Sequence, residues 1–246
     1  MGPVGVFFVC WLYPVDASAA MWSGTRVDPA GSSALRMGFE YESKVIPPFR
    51  AAARDRAQAS VRGHWKPDER VRLDASWSWL RDQLPSGMAV QGPGDVRLGA
   101  HAVAWESPVA VGLGWSVKLP NAADEGEIGT DETDATVVGT FSFPLDALRV
   151  FGAGGLVIQG DPIRFANQDD AGMVVFGLSA NPGSVHMYGQ AGGTLQSARN
   201  PARMSAQVGA SMGCPIRAGV DLQGGLTSAA PAWGGGIWVG WEAGCD

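Results

Sequence analysis

Val71-Arg72-Leu73-Asp74-Ala75-Ser76-Trp77-Ser78-Trp79 alternates between apolar and polar residues along most of its length. Successive side chains of a strand point to opposite faces, so Leu73, Ala75 and Trp77 share one face and Arg72, Asp74 and Ser76 the other. The same period recurs in residues 35–42, 204–210 and 216–222, with glycine among the polar positions. In a soluble sandwich the polar face looks outward and the apolar face makes a core. In an outer-membrane barrel the apolar face meets lipid and the polar, glycine-rich face lines a lumen.

The connections decide between these. Twelve strands can be placed, at residues 34–45, 55–65, 70–80, 94–105, 108–119, 134–143, 147–159, 170–180, 184–193, 203–212, 216–226 and 232–243. Tight turns follow every second strand, around Lys66-Pro67-Asp68-Glu69, Glu106-Ser107, Pro144-Leu145-Asp146, Asn181-Pro182-Gly183 and Gly213-Cys214-Pro215. Most of the other connections run to about nine residues or more, and the last is shorter. Short periplasmic turns alternating with longer outer loops belong to a closed barrel, whereas Greek-key connections keep no such rhythm. The expected fold is all-β: a transmembrane antiparallel up-and-down barrel of about 12 strands.

Composition fits that reading. Only 17% of the residues are charged and the mean hydropathy is +0.02, which suits a wall facing lipid on one side and water on the other. The net charge of −6 gives no basic footprint for nucleic acid. The chain divides into three: residues 1–19 as a signal peptide, 20–33 as a flexible periplasmic lead-in, and 34–246 as the barrel. Val4 to Val15 is an apolar run, and Ala17-Ser18-Ala19 suits cleavage before Ala20, although no Lys or Arg precedes the run. The expected location is the bacterial outer membrane, reached by export through that cleavable segment.

By strand direction, Tyr41, Trp79, Trp115 and Trp233 fall outward near the outer rim, and Trp65, Phe143 and Trp241 outward near the periplasmic rim. Two aromatic girdles bounding an aliphatic belt are what headgroup depth selects. Gly236-Ile237-Trp238-Val239-Gly240-Trp241 has the spacing of the terminal signal read by the barrel assembly machinery. The expected partners are therefore that machinery, the lipid bilayer and a small solute.

Several segments resemble a known family. Gly92-Pro93-Gly94-Asp95-Val96-Arg97-Leu98-Gly99-Ala100 resembles a "GxGD-x-x-x-G" strand opening. Val117-Lys118-Leu119-Pro120, with an acidic loop and Gly129-Thr130 … Asp134, is similar to its "KLP-TG … GTG-x-x-D" segment. The family is that of outer-membrane barrels of the MetA pathway of phenol degradation, also described as transporters. The resemblance spans roughly residues 70 to 243. It departs at Asn121, where Thr or Ser followed by Gly is usual, and at the Gly244-Cys245-Asp246 end. It implies a twelve-stranded barrel that passes small hydrophobic or aromatic molecules.

Parity assigns the lumen. Arg36, Arg62, His64, Arg72, Arg149, His186 and Arg217 fall inward near the periplasmic end. Glu40, Glu42, Asp95, Arg97, Asp134 and Asp221 fall toward the outer half, and Asp74 shares the inward face of its strand. With Asp124, Glu125, Glu127, Asp131 and Glu132 in the third outer loop, this suggests a basic base below an acidic mouth that biases ion entry. The competing reading is that these charges pair across the lumen and hold the barrel together. The loop itself is read as solvated surface, since its spacing matches no calcium loop. Val138, Phe151, Val157, Met173 and Val175 form an apolar strip with inward parity. It is covered either by a hydrophobic solute or by the N-terminal segment or an infolded loop.

Catalysis is not expected. His64, His101 and His186 all point inward, and no nucleophile elbow, phosphate loop or metal-spaced His/Cys set occurs in the sequence, so no cofactor is implied. The functional expectation is a channel or transporter. The alternative is a non-conducting structural or adhesin-like barrel. Finally, Cys214 precedes the eleventh strand and Cys245 follows the twelfth. A hairpin turning near residue 229 brings them together at the periplasmic rim, and a disulfide between them is expected.

Overall fold

The computed structural model describes residues 9–11, 22–24, 33–45, 53–121, 133–160, 170–182, 184–197 and 200–243. The barrel strands are β1 (Ser33–Val45), β2 (Arg54–Asp68), β3 (Val71–Gln83) and β4 (Ala89–Pro93, then Val96–Trp105). They continue as β5 (Ala110–Leu119), β6 (Asp134–Leu145), β7 (Leu148–Ile158) and β8 (Ala171–Ala180). The last four are β9 (Val185–Thr194), β10 (Arg203–Met212), β11 (Ile216–Gly225) and β12 (Trp233–Glu242). Each pairs antiparallel with its sequence neighbours, and β12 closes on β1 from Trp233 opposite Ser43 to Glu242 opposite Ala34. The wall therefore has no free edge, as spanning a bilayer with strands requires. Ahead of it, Val9–Trp11 pairs with Trp22–Gly24 as a two-stranded ribbon. The proposed cleavage site at residues 17–19 lies outside the described residues.

The parity read from Val71–Trp79 holds. Leu73 and Trp77 are 40% and 39% exposed, while Arg72 and Asp74 are buried. The exposed large residues form the outer belt, including Val111, Leu113, Val137, Leu156, Val208 and Val220, with Trp65, Trp79, Trp105, Trp115, Trp233 and Trp241. Tyr41 packs against Trp233 at 5.3 Å between ring centres. Inside, the buried side chains are mostly polar or charged. An exterior this apolar around an interior this polar is the inverse of a soluble domain, and it is stable only where lipid covers it.

The third connection departs from expectation. Strands read as ending at residue 80 and resuming at 94 instead extend as a hairpin, with Trp79–Gln83 paired to Ala89–Pro93. Its tip closes through Gly87, whose φ of 85° suits glycine and whose N–H donates to the Leu84 carbonyl at 2.9 Å. β4 breaks at Gly94-Asp95, inside the segment that carries the family resemblance. The Gly94 N–H donates to the Ser78 carbonyl at 2.8 Å, and a Cβ there would lie 2.6 Å from Ser78 Oγ. The first tight turn is also shifted, because β2 runs on through Lys66-Pro67 to Asp68.

Cys214 is disulfide-bonded, and Cys245 lies outside the described residues. Ile216 stands opposite Trp241, and Glu242 N–H donates to the Pro215 carbonyl at 2.9 Å, so β12 ends beside the Cys214 turn. Peptide mapping of the unreduced protein is expected to give a fragment joining Cys214 to Cys245. A fragment joining Cys214 to Cys10 overturns that pairing.

Candidate functional site: the lumen

Alternation brings every second residue of the twelve strands into the lumen, and the register then decides which of them meet. At the outer end, Arg54 and Arg56 of β2 converge on Asp82 of β3. Arg54 Nη1 lies 3.0 Å from one carboxylate oxygen, and Arg56 donates through Nε at 2.8 Å and Nη2 at 2.9 Å. Glu42 of β1 accepts from the Gln223 amide of β11. Lys118 of β5 sits between Asp134 of β6 at 2.6 Å and Asp95 of β4 at 3.7 Å. Those two carboxylates also accept from the backbone of the outer connections. Asp95 takes Asn121 N–H at 3.1 Å and Asp134 takes Gly160 N–H at 2.9 Å.

Farther down, Arg62 pairs with Glu40 at 2.6 Å, Tyr188 donates to Asp221, and Gln190 donates to Gln207 at 2.9 Å. Near the periplasmic end Arg72 pairs with Asp74 at 2.8 Å. Glu242 takes Arg217 at 3.2 Å and Arg36 at 3.7 Å, and Arg36 also lies 4.3 Å over the Trp238 ring. Arg97 and Arg149 are half-buried on the same inward face. His101 bonds Thr140 at 2.9 Å, His186 bonds Asn181 at 2.8 Å, and His64 shares the parity of Arg62 and Lys66.

The expected separation into a basic base and an acidic mouth is corrected by these pairs. Arg54, Arg56 and Lys118 stand among the acids at the outer end, and Asp74 and Glu242 among the bases below. Isolated charges buried in the lumen are costly, so each sign is held beside the other. Asp124, Glu125, Glu127, Asp131 and Glu132 lie outside the described residues.

Val138, Phe151, Val157, Met173 and Val175 do come together, joined by Ala153, as one cluster on β6, β7 and β8. Phe151, Val157 and Val175 are 0% exposed, so the strip is enclosed. One solvent-open, polar space among the described residues lies elsewhere, walled by Arg56, Gln58, Ser60 and Arg62 of β2, Ser76, Ser78 and Leu80 of β3, and Asp95 and Arg97 of β4.

Arg54, Asp82, Lys118, Tyr188 and Trp238 escaped the sequence reading as lumenal residues. Asp82 continues the inward series Ser76, Ser78, Leu80, and that continuation was the available signal.

No protein-family model matches the chain, and no curated protein matches it in sequence. In fold it is similar to the COG4313 outer membrane channel from Pseudomonas putida F1. The TM-score is 0.66 at 11% identity, over 88% of this chain and 97% of that one. It is also similar to the translocator domain of autotransporter NalP from Neisseria meningitidis, with a TM-score of 0.52 at 12% identity over 87% and 89% of the two chains. Likeness at these identities establishes the architecture, that of outer-membrane barrels.

Proposed function

We propose that this chain is an outer-membrane channel through which a small solute passes passively. The observation that carries the reading is the solvent-open, polar space against β2, β3 and β4, inside a closed barrel whose outer belt is apolar. A wall built on this plan spans a bilayer, and polar lumenal groups replace part of a solute's hydration along the way. Export through the N-terminal segment and insertion by the barrel assembly machinery belong to the same proposal. The chemistry is passage without catalysis. All three histidines face the lumen, away from the lipid-facing wall where a base for lipid hydrolysis has to stand.

The sequence resemblance adds the class of solute, a small hydrophobic or aromatic molecule. The apolar strip on β6, β7 and β8 supports it, since a dry surface inside a polar lumen favours an apolar ligand. Because that strip is enclosed, such a solute has to displace what packs on it.

One observation favours a second reading, a non-conducting structural barrel: the same strip is buried, as side chains packed within a lumen would be. Planar bilayers separate the two. Purified, folded protein is expected to give discrete conductance steps. A folded protein that gives none supports the structural barrel.

A further inference from the structure

A large side chain that projects into a barrel narrows it, yet several of the large lumenal side chains here lie flat along the wall. Tyr188 of β9 stands opposite Gly209 of β10, which stands opposite Asp221 of β11. The phenol crosses the glycine and donates its O–H to the carboxylate two strands away. Gln223 of β11 repeats the pattern, crossing Gly234 of β12 to donate to Glu42 of β1. His101 of β4 lies across Gly112 of β5 and bonds Thr140 of β6.

The glycines are needed for space. A Cβ on Gly209 would lie 2.6 Å from the Tyr188 ring, one on Gly112 2.7 Å from the His101 imidazole, and one on Gly234 2.8 Å from the Gln223 amide nitrogen. None of the three has the positive φ that Gly87 and Gly213 show, so backbone conformation does not demand glycine there. At Gly112 and Gly234 the Cβ would also lie 2.8 Å from a backbone carbonyl, of Ala102 and Tyr41, whereas at Gly209 the nearest atoms all belong to the Tyr188 and Asp221 side chains, so there the side chain has to yield to an added methyl group.

We infer that these inward glycines set the bore of the lumen. Each is a seat across which a neighbour's side chain lies flat, anchored on the strand beyond, and the axis is left to solute. Gly209 and Tyr188 are the pair to test. Adding a Cβ at residue 209 lifts the ring off the wall and swings its hydroxyl away from Asp221, into the space a solute needs. The inference rests on the channel reading, and the test keeps the two apart.

Single-channel conductance is measured in planar bilayers for the wild type, Gly209→Ala, Tyr188→Ala and the double variant, with folding checked by heat-modifiable mobility in electrophoresis. Gly139→Ala, on the outward face with its nearest neighbour 3.8 Å away, is the control. Gly209→Ala is expected to lose part of the conductance and the double variant to regain it, while Gly139→Ala is unchanged. Tyr188→Ala alone is expected to change little, because the ring already lies on the wall. A folded Gly209→Ala that conducts like the wild type, or a double variant that does not recover, overturns the inference. If Gly209→Ala does not fold, Tyr188→Ala still decides, since a large rise in its conductance means the ring stands in the lumen. A folded wild type without conductance overturns the channel reading and this inference with it.

Discussion

Asp82→Ala is expected to destabilise the barrel by about 3–5 kcal/mol, the usual cost of removing one partner from a buried ion pair. Asp82 is 0% exposed, and the two guanidiniums it serves, Arg54 and Arg56, are 4% and 1% exposed. Arg56 grips it in a planar two-point contact, which a lysine could not reproduce. Without that carboxylate, two buried cations on one strand lose the anion they share. The surface gives the contrast. Arg70 and Glu106 also pair, at 3.2 Å, but their side chains are 65% and 35% exposed. Truncating that pair is expected to cost no more than about 1 kcal/mol. Urea unfolding of the variants in lipid vesicles measures both. Equal losses from Asp82→Ala and Glu106→Ala mean that the outer cluster is as wet as the surface and that the ion pairs do not brace the wall.

That cluster also shows where sequence reading stopped. Alternation is a local property, so the faces of Val71–Trp79 and the inward parity of Arg36, Arg62, Arg72 and Arg217 could be read from neighbours in the chain. Which carboxylate meets which cation depends on register between strands and on closure of the whole circumference. Lys118 therefore finds Asp95 and Asp134 only once β4, β5 and β6 are aligned. The hairpin tip of β3 and β4 was hidden for a related reason. Leu84-Pro85-Ser86-Gly87 carries strong turn signals, and Gly92-Pro93-Gly94 looks unlike a strand, so residues 81–93 read as one loop. Pairing with an already formed β3 extends the ladder through them. Trp238 illustrates the third limit. The outward parity of Trp233 and Trp241 turns Trp238 inward, but what its ring packs on depends on the neighbouring strands. The ring lies over Gly219 of β11, beneath Arg36 of β1.

Val208→Arg is the sharpest test of the membrane assignment itself. Val208 lies midway along β10 and is 57% exposed, with Leu222 of β11 beside it on the outer face at 65%. If that face meets lipid, an arginine there has to hold its charge in hydrocarbon or snorkel to the headgroups. The expected loss is about 2–4 kcal/mol at mid-bilayer depth. The adjacent Gln207 points the other way, buried in the lumen between Gln190 and Gln223. Gln207→Arg enters a compartment that already accommodates Arg62 and Arg203, so its cost is expected to be much smaller. In a soluble sandwich the order reverses, because residue 208 would be solvated and an arginine there harmless, while residue 207 would sit in the core. The difference between the two variants, measured by reversible unfolding from vesicles, therefore carries the information. A larger loss for Gln207→Arg than for Val208→Arg contradicts a lipid-facing wall, whatever the absolute stability of either variant.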